Sequence, residues 1–152
     1  MNIKAILFDL DGTLLPMDQD AFTRAYFKEL AGVIAPLGIE PKKLVDVVWA
    51  GHASRLSWVG LKPGDFDMVT SYETDRYCKP NPAYYSDICA RIGFSPEECL
   101  MVGNDETEDM LAASSIGMNA FWVTDCMIPA QNSHWDGPKG PFTELIEYLK
   151  AI

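Results

Sequence analysis

Short apolar runs along the chain alternate with segments in which apolar residues recur at helical spacing. Lys4–Phe8 is rich in Ile, Leu and Phe and predicts a buried strand of a parallel sheet. Cys99–Gly103 and Asn119–Thr124 have the same character. A fourth strand is predicted from Asp65 to Ser71, where an apolar run ends in polar residues.

Helices are predicted between these runs. Apolar residues at helical spacing from Asp18 to about Leu37, and then from Pro41 to about Trp49, predict a helical hairpin. Further helices are predicted at Pro82–Ile92, from Asp105 to Gly117, and over the C-terminal residues that include Phe142, Leu145, Ile146, Leu149 and Ile152. The Pro- and Gly-rich stretch Pro129–Pro141 is predicted to be a surface loop.

Strands that alternate with helices predict the α/β class, with a doubly wound parallel sheet that carries helices on both faces. Residues 1–15 and 62–152 would form this core. Residues 16–61 would form a small helical cap element and a connecting helix.

Composition narrows the possible partners. The net charge of -10, from 12 basic and 22 acidic side chains, leaves no basic stripe for DNA or RNA. No apolar run approaches the roughly 18 residues that a membrane span needs. The four cysteines include no C-x-x-C pair, and the N-terminus resembles a first strand more than a signal peptide. These features predict a cytoplasmic protein with buried, reduced thiols. A small anionic substrate remains compatible with them.

Polar side chains follow three of the predicted strands, at the sheet edge where open parallel sheets bind ligands. A carboxylate that attacks a phosphate must approach like charge, and a divalent cation between them removes the repulsion. Magnesium prefers hard oxygen ligands, and a lysine can neutralise the remaining charge. The candidate residues for such phosphoryl transfer are Asp9, Asp11, Thr13, Lys79, Asp105 and Asp109.

Three motifs give these residues a family context. They are Asp9-Leu10-Asp11-Gly12-Thr13-Leu14, Lys79-Pro80-Asn81-Pro82, and Gly103-Asn104-Asp105 with Asp109. In their order and structural contexts they resemble three signature motifs of the haloacid-dehalogenase-like superfamily. The resemblance implies a Rossmann-like core with a helical cap inserted after the first strand, and a magnesium-dependent hydrolase.

The resemblance also implies a role for each residue of the first motif. Asp9 would be the nucleophile that forms an aspartyl-phosphate and would bind magnesium. Asp11 would protonate the leaving alcohol and then activate water, while its backbone carbonyl contacts the metal. Thr13 would stabilise the turn. An acid at position 11 favours phosphate-ester hydrolysis, because dehalogenases of the superfamily generally lack it.

The other two motifs supply supporting residues by the same resemblance. Lys79 would orient Asp9 and the phosphate. Asp105 would ligate magnesium, and Asp109 would ligate it or orient its ligands. Four tyrosines flank Lys79 and are interpreted as packing residues: Tyr72, Tyr77, Tyr84 and Tyr85.

One family feature has no counterpart here. The superfamily has a second signature, a buried strand that ends in a phosphate-binding Ser or Thr and lies between the cap and the Lys motif. No such strand is predicted between Trp49 and Asp65. The chain could be shortened, a second copy could supply the strand in a homodimer or strand swap, or residues could be absent between Trp49 and Leu56. The half-sized cap favours the last interpretation.

Three functional hypotheses follow. The first is a magnesium-dependent phosphohydrolase that cleaves a small phosphorylated metabolite through an aspartyl-phosphate. The second is a catalytically weak or inactive relative that binds phosphate or a protein partner. The third is a phospho-accepting receiver domain, which ranks lowest because Asp9 and Asp11 share one turn with Gly12-Thr13.

Overall fold

The computed structural model describes residues 2–15, 21, 25, 60–70 and 75–152. The chain divides into two compact units, one formed by Met1–Met17 with Tyr77–Ile152 and the other by Asp18–Arg76. In the second unit, Ala21 and Ala25 are helical and Pro63–Asp65 forms a short 3-10 turn. The rest of the predicted helical hairpin lies outside the described residues, as do Trp49 and Leu56, so the cap and the missing-segment interpretations stay predictions.

The first unit is built on a four-stranded parallel sheet whose order follows the sequence. In β1, Ala5 lies opposite Cys99, and Phe8 lies opposite Val102. Further along the sheet, Trp122 lies opposite Lys139. The strands are β1 (Ala5–Phe8), β2 (Cys99–Gly103), β3 (Asn119–Val123) and β4 (Lys139–Gly140).

Three helical segments flank the sheet. The first, α1 (Pro82–Ile92), begins at Asn81, whose side chain accepts the Ala83 N–H at 2.9 Å, and ends at Gly93 with a φ of 77°. The second consists of π-helical turns, Glu106–Leu111 (the π-segment), continued by α2 (Ala112–Ser114). The last is α3 (Phe142–Ala151). A 3-10 turn at Pro96–Glu98 carries the capping box that its spacing predicts.

Alternation along β2 separates two apolar clusters. Cys99 and Met101 pack into a cluster with residues of α1, the π-segment and α2, called the α1 cluster below. Leu100 and Val102 point the other way, into a cluster that contains Leu145 of α3. Because successive side chains of a strand face opposite sides, a fully buried strand implies helices on both faces. The predicted doubly wound parallel sheet is therefore confirmed.

Four details of the sequence prediction are wrong. Asp65–Thr70 forms no strand, although its side chains alternate in exposure. Instead, the Lys62 N–H binds the Asp65 carboxylate at 2.7 Å and starts a turn. Part of the predicted loop Pro129–Pro141 is β4, which pairs with β3 in parallel. Ile146 is 52% exposed and lies off the buried face of α3. Cys78, whose thiol is predicted to be buried, is exposed.

The edges of the sheet differ. Within the described residues, β1 pairs only with β2, and its Ile6 and Phe8 are 39% and 37% exposed. Ala5 and Leu7, on the opposite face of β1, pack against the α1 cluster. The strand is thus apolar on both faces, as central strands of parallel sheets are, but one of its faces is incompletely covered. None of the described helices is long and apolar enough to cross a membrane.

Candidate active site

The first motif forms a tight turn at the carboxyl end of β1. The Asp9 N–H donates to the Val102 carbonyl at 2.8 Å, which continues the pairing with β2 by one residue. The chain then reverses, and the Gly12 N–H donates to the Leu15 carbonyl at 2.8 Å. Gly12 has a φ of 88°, a conformation that glycine adopts without strain. The turn places Asp9 and Asp11 together at the sheet edge.

Lys79, in the second motif, contacts a carboxylate from each of the other two motifs. Its Nζ lies 2.7 Å from Asp9 Oδ1 and 2.5 Å from Asp109 Oδ1. The Asp109 side chain is only 1% exposed, whereas those of Asp9 and Lys79 are about one-fifth exposed. One ammonium group is therefore shared between a fully buried carboxylate and a carboxylate that solvent can reach.

The third motif holds its two acids through local hydrogen bonds. Asp105 caps the π-segment, since its Oδ1 accepts the Glu108 N–H at 2.7 Å. The backbone N–H of Asp105 in turn donates to Asp109 Oδ2 at 3.1 Å. A Cβ at Gly103 would collide with the Asp109 carboxylate, so glycine at the end of β2 leaves the space that this carboxylate occupies. Asp109 thus contacts Lys79 with one oxygen and the Asp105 backbone with the other.

Asn104 connects the first and third motifs. Its Oδ1 accepts a long hydrogen bond, 3.4 Å, from the Thr13 hydroxyl, and its Nδ2 donates to the Cys126 carbonyl at 2.7 Å. Its side chain also fills the space beside Gly12, where a Cβ would collide with it. Asn104 is buried, and its side-chain hydrogen bonds connect the end of β2 with the turn after β1. The sequence indicates this only indirectly, through a polar residue directly after a buried strand.

Charge and burial shift the pKa values of Lys79 and Asp109, which together with Asp9 form the Lys79 cluster. Burial alone would lower the pKa of Lys79, but Asp109 and Asp9 beside it hold that pKa well above its ordinary value. Burial, together with the charge of Asp9, raises the pKa of Asp109 to about 6, against the opposing effect of Lys79. Two carboxylates share one cation, so the site carries excess negative charge that favours a further positive group.

Glu106 is a second buried acid beside the site. Its side chain is fully buried, and its two oxygens accept N–H groups from Ala130 at 2.9 Å, His134 at 2.7 Å and Trp135 at 2.9 Å. Burial acts to raise its pKa, but these donors and the Ser133 hydroxyl lower it to about 2. Glu106 could not be identified from the motifs, because nothing in the sequence shows that a segment beginning 24 residues onward supplies its donors.

The described structure brings together Asp9, Lys79 and Asp109 by direct contact, and Asp105 and Thr13 through neighbouring residues. Asp11 lies in the turn, where its backbone pairs with Leu15. Over the ranges 2–15, 60–70 and 75–152, no three acidic, His or Cys side chains converge closely enough to hold a metal ion. The donor chemistry nevertheless fits a hard divalent cation, because the acids at this edge offer only oxygen ligands. The individual roles assigned to these residues stay predictions.

Comparison with known proteins agrees with the motifs. The family model described as haloacid dehalogenase-like hydrolase matches residues 50–117. The glyceraldehyde 3-phosphate phosphatase of Methanothermobacter thermautotrophicus is 35% identical over 69 residues, which cover 45% of this chain and 30% of that protein. Over these residues the chain is similar to the haloacid-dehalogenase-like hydrolases. It therefore spans less than a third of the length of this curated relative.

Solved structures of haloacid-dehalogenase-like proteins share the fold. A superfamily hydrolase from Geobacter sulfurreducens superposes with a TM-score of 0.63 at 18% identity, covering 96% of this chain and 99% of that one. The HAD-hydrolase YfnB of Bacillus subtilis, described as bound to magnesium, superposes with a TM-score of 0.59 at 16% identity, covering 98% and 99% of the two chains. At these identities the likeness concerns the fold alone.

Proposed function

We propose that this haloacid-dehalogenase-like hydrolase is a phosphohydrolase that cleaves a small phosphate monoester with Asp9 as the nucleophile. The observation that carries the proposal is the contact of Lys79 Nζ with both Asp9 and Asp109. A lysine so placed holds one oxygen of Asp9, which leaves the carboxylate oriented for attack. It also offers positive charge where a phosphoryl group would bring negative charge.

In the first step, a carboxylate oxygen of Asp9 attacks phosphorus while the bond from phosphorus to the ester oxygen breaks. Asp11 gives its proton to that oxygen, so the alcohol leaves as a neutral molecule. Asp9 then carries an acyl phosphate. Asp9 and Asp11 lie in one turn after β1, which supports this pairing of nucleophile and acid.

In the second step, water attacks the same phosphorus and the bond to the Asp9 oxygen breaks. Asp11, now ionised, takes a proton from that water, which restores the acid for another cycle. Inorganic phosphate is released and Asp9 returns to a carboxylate. Lys79 keeps Asp9 in place throughout, because it remains bound to Asp109.

A divalent cation fits this scheme by charge. Magnesium would be held by the carboxylates of Asp9 and Asp105 and the carbonyl of Asp11, with Asp109 as a further ligand or an orienting residue. When bound, it would supply positive charge between nucleophile and phosphate. The excess negative charge of the Lys79 cluster supports this assignment.

The proposal is tested with p-nitrophenyl phosphate and magnesium. We expect turnover by the unmodified chain, and a fall in kcat of at least about 10⁴-fold in Asp9→Asn, because the amide is a poor nucleophile. Asp125→Asn is the matched control, since Asp125 accepts the Phe142 N–H at 2.6 Å and forms no hydrogen bond or ion pair with a motif residue in the described structure. Turnover that survives Asp9→Asn would refute the mechanism.

A second candidate function rests on the incompletely paired edge of β1. Within the described residues no strand follows on that side, where the superfamily's phosphate-binding strand is expected. This favours a relative that binds phosphate or a protein partner without turnover, or that completes the sheet with a second copy of itself. Phosphate and magnesium binding without hydrolysis, or a dimer in sedimentation experiments, would support it.

A further inference from the structure

The hydroxyl of Tyr85 contacts the third motif from a neighbouring helix. Tyr85 is fully buried in α1, and its hydroxyl donates to the Glu108 carbonyl at 2.6 Å. Nothing in the catalytic scheme above uses this residue. Tyr85 is interpreted from the sequence as a packing residue, and its ring does pack in the α1 cluster, edge-on to Tyr84 with ring centroids 5.1 Å apart. Its hydroxyl has a separate and specific partner.

That partner is one end of the peptide unit that leads into Asp109. The Glu108 carbonyl and the Asp109 N–H belong to the same planar group. The Asp109 N–H donates to the Asp105 carbonyl at 3.0 Å, while Tyr85 binds the carbonyl end. The plane is therefore fixed at both ends. Since this plane sets the direction of the Asp109 side chain, it also sets where the Asp109 carboxylate meets Lys79.

The contact also closes a ring of interactions. Lys79 lies just before α1, the helix that carries Tyr85, and it binds Asp109 across the site. The π-segment that carries Asp109 is also bound to α1, through the hydrogen bond from Tyr85 to the Glu108 carbonyl. The segments that carry Lys79 and Asp109 are thus connected by a second contact, away from the charged groups. π-helical turns are rare and are frequently found at functional sites.

We propose that Tyr85 is a positioning residue, whose hydroxyl holds the Glu108–Asp109 peptide so that Asp109 keeps Lys79 against Asp9. The inference rests on the proposed function, because positioning concerns that reaction. Its immediate physical content is narrower. Without the hydroxyl, the Asp105–Asp109 turn should loosen while the rest of the unit stays in place.

The test compares Tyr85→Phe with Tyr148→Phe. Both changes remove one hydroxyl from a buried position and keep the ring. The Tyr148 hydroxyl, on α3, is buried and has no hydrogen-bond partner among the described residues, so its removal leaves none of their polar groups unpaired. With p-nitrophenyl phosphate, we expect kcat to fall roughly tenfold in Tyr85→Phe with little change in KM, because a misplaced catalytic group costs rate more than binding. Tyr148→Phe should keep the wild-type kcat.

Magnesium affinity provides a readout that does not depend on turnover. In isothermal titration calorimetry, Tyr85→Phe should bind magnesium several-fold more weakly than wild type, and Tyr148→Phe should bind it equally. Amide hydrogen exchange measured residue by residue should be faster at Glu108 and Asp109 in Tyr85→Phe, with the β2 and β3 amides unchanged. A purely structural role would instead lower the melting temperature and leave kcat per folded molecule and magnesium affinity unaltered.

The outcomes separate the two proposals. If the wild-type chain hydrolyses no phosphate ester, the proposed function fails, and exchange at Glu108 and Asp109 still decides the role of Tyr85. If Tyr85→Phe matches Tyr148→Phe in kcat, magnesium affinity and exchange at these two amides, Tyr85 is a packing residue and the inference is overturned.

Discussion

Asp109 and Glu106 are two buried acids on the same π-segment, three residues apart, with opposite environments. Asp109 faces a lysine and a second carboxylate, and its pKa is raised to about 6. Glu106 faces N–H groups from residues 130–135, and its pKa is lowered to about 2. Burial is the same for both, since each side chain is at most 1% exposed. The partners therefore decide the difference.

The difference separates an acid whose charge stabilises the fold, Glu106, from an acid whose charge costs stability, Asp109. The Glu106 carboxylate accepts hydrogen bonds from N–H groups of residues 130–135. These hydrogen bonds connect that stretch to the π-segment that follows β2. The Asp109 charge is only partly balanced, because Asp9 competes for Lys79. An incompletely compensated buried acid costs stability and is typical of functional sites. We therefore expect substitutions of the two acids to separate activity from stability.

The largest effect is expected for Asp109→Asn. Activity should fall by roughly 100-fold or more, since Lys79 loses its buried anchor and no longer holds Asp9 in one orientation. The free energy of unfolding should not fall, because the ionised carboxylate itself costs stability at neutral pH. A carboxyl with a raised pKa stabilises the fold while protonated and loses that contribution as pH rises through about 6. Steady-state kinetics and urea unfolding measure the two quantities, and a strongly destabilised but active variant would reverse the comparison.

The opposite pattern is expected for Glu106→Gln. The amide keeps the size of the side chain but places its NH₂ group against a backbone donor, which leaves buried N–H groups unpaired. The loss should be about 2 kcal/mol in the free energy of unfolding. Activity per folded molecule should stay within a few-fold of wild type. Urea unfolding at neutral pH checks the first statement, and kinetics normalised to folded protein check the second.

A smaller effect concerns how the free energy of unfolding changes at acidic pH. The pKa of Glu106 is lowered from 4.5 to about 2, so its ionised form stabilises the fold fully above pH 4.5. This contribution is lost as pH falls from 4.5 towards 2. The stability difference between wild type and Glu106→Gln should thus be constant from neutral pH to about 5 and shrink below it. A difference that grew on acidification would show that the carboxylate is not held by these donors.

The same pair shows what the sequence predicts and where it stops. Asp109 could be predicted because parallel strands bring their ends to one edge. Lys79 could be predicted only because three motifs stand in a known order, since the strand predicted before it does not form. Glu106 could not, since its donors come from a Pro- and Gly-rich stretch that carries no periodicity. That stretch also contains β4, whose two residues are too few to form a pattern.

Asp65–Thr70 shows the converse. Its apolar and polar residues alternate as in a strand, and the alternation in exposure is present, but a strand also needs a paired neighbour. Sequence pattern reports which side chains are buried more reliably than which backbone groups are paired. The packing of Tyr85 was predictable on this basis, whereas its hydrogen bond to Glu108 was not.

The most direct test of the central claim is to trap the phosphorylated intermediate. Wild-type chain is mixed with p-nitrophenyl phosphate and magnesium, quenched with acid, reduced with sodium borohydride and analysed by peptide mass spectrometry. An acyl phosphate on Asp9 would be reduced to homoserine at position 9, and this product should be absent without substrate. Homoserine at another aspartate, or sustained turnover with no homoserine at position 9, would contradict the account.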